Sequence, residues 1–162
     1  MKKWCILLVM VLCLSGCAAV PTFETVTDVI VTADPAQPRE VALAVPDDAS
    51  TMTMENEQGT LYLCDDYEIS AQTVWGTDLN ETIRNATGYE PENLTIIQTR
   101  ENGYTRYELV WATTGETGEL LGRCTVLDDG NYHYVLTVMA QPQQTGTMQE
   151  VWNELFSSFR LV

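Results

Sequence analysis

The chain has 162 residues, of which 45% are hydrophobic, and its 23 acidic residues against 8 Lys and Arg give a formal charge of −15. Such an excess of negative charge repels phosphate backbones, so nucleic acid is excluded as a partner. The length suits one domain with its own core. The single histidine and the absence of a Cys or His cluster argue against a zinc site.

The amino terminus has the pattern of an export signal. Two lysines precede an apolar stretch, residues 4–14, that is too short for a bilayer core needing about 20 residues. The motif LSGC that follows, Leu14–Cys17, resembles the lipobox of bacterial lipoproteins, in which the cysteine receives a diacylglyceryl group before cleavage. The resemblance implies a signal peptide over residues 1–16, lipidation of Cys17, and anchoring on the extracytoplasmic face of the cell membrane. The alternative is an ordinary secretory signal with an incidental cysteine.

Residues 17–39 contain three prolines and no sustained hydrophobic period, which predicts a flexible tether. A strand within the run VTDVIVT (26–32) is the alternative for part of this segment. Without residues 1–16, six arginines and 23 acidic residues remain, a formal charge of −17. We therefore expect the folded body to stand away from anionic headgroups.

The folded body is predicted to begin at residue 40. The run EVALAVP (40–46) alternates branched apolar residues with alanine and ends at a proline, as a half-buried strand does. Two further strand-like runs cover 51–55 and 61–75, and the second is broken near Asp65-Asp66.

Two helices are predicted from their capping residues and apolar spacing. Asp78 and Glu81 fit a capping box before a helix over 79–87, which the next glycine ends. Thr147 and Glu150 fit a second box before a closing helix. The apolar stripe of that helix comprises Met148, Val151, Trp152, Leu155 and Phe159.

Between the helices, the clearest signal is a hairpin. Asn102-Gly103 separates two strand-like runs and is the pair most favoured in two-residue turns. The turns GETG and DDGN lead into two more strands, so four consecutive antiparallel strands are predicted. In the second of these, Tyr107, Leu109 and Trp111 share one face. A mainly antiparallel sheet with flanking helices defines the α+β class.

The order of elements resembles the PsbP-like fold, which is shared by an extrinsic photosystem II subunit, a Ran-binding import factor and many bacterial lipoproteins. The resemblance is carried by VALAVP, the hairpin DDGNYHYVLTVMA, the loop QPQQTGT and a last helix closing on Ser157-Ser158-Phe159. It spans residues 40–162 and implies a three-layer sandwich with a twisted antiparallel sheet between helices. Proteins of this fold mostly bind protein partners, and no position here matches a known metal or partner motif.

Cys64 and Cys124 are the two cysteines of the predicted body, and an even pair in an exported chain is a candidate disulfide. In the chain-entropy model, closing a loop of this length contributes roughly 4 kcal/mol. The alternative is two buried thiols that behave as small apolar residues.

His133 is alone and is expected to be structural or on the surface. The acid pairs lack the alternating spacing of a calcium loop and predict turn hydrogen bonds instead: Asp47-Asp48, Asp65-Asp66 and Asp128-Asp129. Three tryptophans could form a binding face, but packing is favoured: Trp75, Trp111 and Trp152.

The sequence therefore favours a membrane-anchored, non-enzymatic binding or accessory module that presents an acidic domain to a protein partner. It indicates no catalytic residue, metal or cofactor. The alternative is a small cation-binding or hydrolytic envelope lipoprotein that uses clustered carboxylates.

Overall fold

The structure is a computed structural model. It describes residues 23–28, 37–54, 59–76, 78–101, 103–116, 118–144, 146 and 148–162. Within these residues the strands are β1 (Phe23–Asp28), β2 (Val41–Pro46), β3 (Ser50–Thr53), β4 (Gly59–Leu63), β5 (Tyr67–Trp75), β6 (Ile96–Glu101), β7 (Tyr104–Gly115), β8 (Gly118–Asp128), β9 (Tyr132–Ala140) and β10 (Arg160–Leu161). The helices are α1 (Leu79–Thr87) and α2 (Gln149–Ser158), with short 3-10 turns at Pro91–Asn93 and Pro142–Gln144.

Seven strands form one antiparallel sheet in the order β3-β4-β5-β9-β8-β7-β6. The four consecutive strands predicted from the turn motifs are β6 to β9, and they pair as neighbours. The predicted break at Asp65-Asp66 separates β4 from β5. The α+β class, mainly antiparallel, is confirmed.

The sheet is covered on both faces, each by a separate core. On one face α1 packs over β7, β8 and β9, and the buried residues there are Ile83, Leu109, Trp111, Cys124, Val126 and Val135. On the other face lie α2 and β2, with a core that includes Leu43, Val45, Tyr134, Leu136, Leu155 and Phe159. Alternate residues of β8 and β9 serve opposite cores, which is the period-two geometry of a strand. Helices therefore flank the sheet as predicted.

Helix α1 begins and ends as its sequence indicates. The Asp78 carboxylate accepts hydrogen bonds from the backbone N–H groups of Asn80 (2.9 Å) and Glu81 (3.3 Å), which satisfies two otherwise unpaired donors. Gly88 then adopts the left-handed conformation, φ 78°, and its N–H bonds to the Arg84 carbonyl. A residue with a side chain is strained there, so glycine fixes the end of the helix.

The start of the closing helix differs from the prediction. Met148 occupies the N-cap position of α2 and makes no side-chain capping bond, while Thr147 lies outside the described residues. The apolar stripe is confirmed: Met148, Val151, Leu155 and Phe159 are buried, and Trp152 is half-buried. At the other end the Ser158 hydroxyl accepts from the Ala44 N–H (2.9 Å) and donates to the Leu155 carbonyl (2.9 Å). The serine of the closing motif thus joins α2 to β2.

A small second sheet, in the order β1-β2-β10, differs from the tether prediction. Strand β1 lies within predicted tether 17–39 and pairs antiparallel with all of β2, while β10 pairs with the start of β2 on the other side. Residues 42–46 of β2 are all buried, and buried backbone groups need hydrogen-bond partners. The two flanking strands supply those partners.

Candidate functional site

The lipobox-like motif and Cys17 lie outside the described residues. Across the portion of the chain that the structure does describe, neither helix is long and apolar enough to cross a bilayer.

Cys64 and Cys124, the candidate disulfide pair, are both free thiols in the structure. Cys124 is fully buried in the core beneath α1, whereas Cys64 packs against the core on the opposite face of the sheet. Burial raises the pKa of the Cys124 thiol to about 12 and also raises the pKa of Cys64. Cys124 is therefore an apolar packing residue, and Cys64 is a partly buried thiol that packs against the other core.

His133 has a structural role, as predicted. Its side chain is on the α1 face of β9, 2% exposed, and its Nδ1 lies 2.7 Å from the Thr82 hydroxyl. That hydroxyl also hydrogen-bonds to the Asp78 carbonyl (3.2 Å), and Nε2 of His133 lies 3.9 Å from Asp128 Oδ1. Burial lowers the pKa of His133, partly opposed by the carboxylates of Asp128, Asp129 and Asp78. The neutral ring links α1 to the sheet.

This burial predicts a pH-dependent stability with a defined sign. Below the ordinary histidine pKa of about 6.5 the unfolded chain binds a proton that the folded chain does not, so the free energy of unfolding falls as pH decreases from 6.5. The chain has one histidine, so His133→Asn removes this contribution and leaves that of the carboxylates unchanged. Urea denaturation from pH 7.5 to 5.0 should show a steeper decline in the wild type than in His133→Asn. Equal slopes in both proteins would refute the assignment.

The acid pairs serve turns where their bonds are described. Asp128 accepts from the Gly130 N–H (2.7 Å), and Asp129 accepts from the N–H groups of Asn131 (2.9 Å) and Tyr132 (2.8 Å). A second oxygen of Asp129 accepts the Tyr134 hydroxyl (2.9 Å). The predicted turn chemistry is confirmed at this pair. No group of three or more His, Cys, Asp or Glu suited to a metal ion occurs among the described residues.

The three tryptophans lie in different environments. Trp111 is buried under α1, and Trp75 is 48% exposed and meets Tyr132 edge-to-face at 5.2 Å. Trp152 of α2 is half-buried and lines an open groove. They do not form a common binding face, so the packing interpretation holds for Trp111.

That groove has an exposed apolar rim on the sheet. It has a volume of about 340 Å³ and lies between the edge strand β6 and helix α2. We call it the β6 groove, and its lining residues are Thr95, Ile97, Glu108, Leu109, Val110, Arg123 and Trp152. Ile97 is 61% exposed and Val110 is 56% exposed, whereas large apolar side chains of this kind are usually buried.

A fixed ion pair forms the charged part of the β6 groove. Arg123 Nη2 lies 3.4 Å from Glu108 Oε1, and the guanidinium carbon stands 4.2 Å from the Phe156 ring centroid. The aromatic ring and the carboxylate together hold the guanidinium in place. The groove therefore combines an apolar rim with a neutralised cation.

Sequence reasoning missed this groove. Alternation identified the face of β7 that carries Leu109 and Trp111 as the core face, and it correctly left Glu108 on the other face. Which strands α2 covers on that other face is decided by tertiary packing. A signal was nevertheless present, because Ile97 and Val110 are large apolar residues next to charged ones.

Comparison with known proteins supports the fold. No protein family profile matches the chain, and neither does any curated protein. Among solved structures, cyanobacterial PsbP (CyanoP) from Synechocystis sp. PCC 6803 is similar, with TM-score 0.62 and 11% identity over 91% of this chain and 96% of that one. LpqN of Mycobacterium tuberculosis, described as involved in cell envelope biogenesis, has TM-score 0.54 and 14% identity over 86% and 91% of the two chains.

A Bacteroides thetaiotaomicron protein is also similar, with TM-score 0.51 and 11% identity over 75% of this chain and 45% of that one. At these identities the likeness shows the fold alone. The chain has the α+β PsbP-like fold that the order of its elements predicts.

Proposed function

We propose that this chain is an extracytoplasmic envelope lipoprotein, anchored through Cys17, whose acidic domain is a non-enzymatic accessory module that binds a protein partner. The observation that carries the proposal is the LSGC motif directly after a short apolar run. The likeness to LpqN, whose description places it in cell envelope biogenesis, supports the same setting. A single thioether-linked lipid with two chains is sufficient for stable membrane attachment.

The groups best suited to catalysis have other roles in the fold. His133 is buried against α1, Cys124 is buried with a raised pKa, and the carboxylates of Asp128 and Asp129 accept turn hydrogen bonds. A general acid or nucleophile must reach its substrate, and His133 and Cys124 are enclosed by the structure. The exposed β6 groove, in contrast, is open to a partner. This arrangement favours binding over chemistry.

The anchor is tested by metabolic labelling with an alkyne fatty acid. We expect the wild type to be labelled and retained in the membrane fraction. Cys17→Ala should be unlabelled, because no thioether can form without the cysteine sulfur. Cys13→Ala is the matched control, since Cys13 lies in the predicted signal peptide and its loss should leave labelling unchanged. Fatty-acid label on Cys17→Ala would contradict the proposal.

A further inference from the structure

We infer that the β6 groove binds an extended, basic segment of a partner protein, which adds to the sheet as a strand along the free edge of β6. The inference rests on the proposed function and specifies the chemistry of the partner. It combines three observations: an unpaired sheet edge, an exposed apolar rim, and the strongly negative net charge of the chain.

The first observation is the edge itself. β6 is a terminal strand of the seven-stranded sheet and is six residues long. Among the described residues, no backbone hydrogen bond joins the side of β6 that faces away from β7 to another element. Such an edge presents a row of N–H and C=O groups that an incoming extended chain can pair with. The opposite edge, β3, is only four residues long.

The second observation is the apolar rim beside that edge. Ile97 projects from β6 on the same face as Val110 of β7, and both are more than half exposed. In a strand laid along β6, every second side chain would point over this face, because side chains alternate across a strand. An apolar residue at that position would cover Ile97. The exposed apolar rim thus lies directly beside the free backbone edge.

The third observation is charge. Beyond residue 16 the formal charge is −17, and the two arginines on this face are already engaged. Arg106 bonds to Glu101 at 2.8 Å, and Arg123 pairs with Glu108. Glu92 is exposed on the 3-10 turn that leads into β6. β6 itself carries the exposed Arg100, so the charges next to the groove nearly balance. The net negative charge of the whole chain is what attracts a segment in which basic residues alternate with apolar ones.

The same charge argues against other occupants. A second copy of this chain would bring an equal negative charge to the edge, and an anionic membrane surface would do likewise. Repulsion disfavours both. A basic segment gains attraction and edge pairing together, so it fits the groove best.

The probe for the test is a labelled, end-capped hexapeptide of alternating lysine and valine, added to the full-length chain in a zwitterionic detergent. Fluorescence anisotropy measures its Kd, and hydrogen exchange locates it. We expect Ile97→Lys to raise the Kd about tenfold or more, as loss of a central anchor does. Met52→Lys is the matched control, because Met52 is 55% exposed on the other edge strand and the substitution adds the same charge. Its Kd should change by less than about twofold.

Three further measurements define how the peptide binds. A peptide of alternating glutamate and valine should bind at least about tenfold more weakly, and salt should weaken the lysine peptide. Binding should slow exchange of β6 amides and leave β3 unchanged. The inference is overturned by absent binding, by equal effects of Ile97→Lys and Met52→Lys, by protection of β3, or by a dimer of this chain that Ile97→Lys dissociates.

Failure of this inference is distinguishable from failure of the proposed function. Chemical cross-linking in the native envelope reports the proposed function, which fails if the wild-type chain forms no adduct with another protein. If Ile97→Lys forms the same adduct as the wild type, the accessory function stands and the β6 groove is not its site. Loss of the adduct in Ile97→Lys, with retention in Met52→Lys, supports both the proposed function and the β6 groove as its site.

Discussion

Arg106→Ala should lower the free energy of unfolding by about 3 kcal/mol, the cost of removing one partner from a largely buried charged network. The Arg106 side chain is 11% exposed and joins three parts of the fold. Its Nε donates to Glu101 (2.8 Å), and its two terminal nitrogens donate to the carbonyls of Phe156 (3.3 Å) and Phe159 (2.5 Å). Those carbonyls lie at the C-terminus of α2, where a cation is favoured.

The loss is large because the remaining groups have no substitute. Without Arg106, the Phe156 and Phe159 carbonyls lose their guanidinium donor, and the Glu101 carboxylate keeps only the Tyr104 hydroxyl among its described partners. Hydrogen bonding from Tyr104, together with Arg106, lowers the pKa of Glu101, so this carboxylate is charged at neutral pH. Breaking the network therefore leaves a charge without its cation.

Urea denaturation at pH 7 measures the effect of Arg106→Ala. The matched control is Arg100→Ala on β6, an exposed arginine whose loss should cost no more than about 0.5 kcal/mol. The free energy of unfolding of Arg106→Lys should lie between those of the two alanine variants, because lysine keeps the charge and loses the planar set of donors. Equal stabilities of the Arg106→Ala and Arg100→Ala proteins would show that the network contributes nothing.

The features that could be predicted from sequence are those determined by neighbours along the chain. The Asp78 cap bonds to groups two and three residues away, and the turn at Asp129 closes over the same distance. Such bonds depend on local residue types, so the motif predicts the geometry. The Thr147 box is the exception, because Met148 holds the N-cap position.

The features that escaped prediction depend on distant partners. β10 is two residues long and exists because Arg160 and Leu161 meet Ala42 and Val41 of β2, more than a hundred residues earlier. The structural role of Arg106 likewise depends on its bonds to the end of α2, about fifty residues later in the chain. The β6 groove is open because α2 lies over other strands. No local pattern contains this information.

Gly122→Ala should also destabilise the fold strongly, by about 3 kcal/mol, at the upper end of the usual cost of overpacking. Gly122 of β8 lies directly opposite Trp111 of β7, and a Cβ atom at Gly122 would come within 2.4 Å of the Trp111 ring. Trp111 is 6% exposed under α1, so its rigid ring has little room to move. Alanine normally stabilises a strand relative to glycine. A loss of stability in Gly122→Ala would therefore measure the steric contact between the new methyl group and the Trp111 ring.

A double-mutant cycle separates this contact from any general effect of the substitution. Trp111→Leu removes the ring, so adding Gly122→Ala to it should cost at least about 1 kcal/mol less than in the wild type, since residues in contact are coupled. Gly146→Ala is the control, because a Cβ there meets nothing within 4 Å and the change should stay within about 0.5 kcal/mol. If Gly122→Ala costs the same with and without the indole, the Trp111 ring does not occupy the space above Gly122. The packing of the α1 core would then differ from the one described.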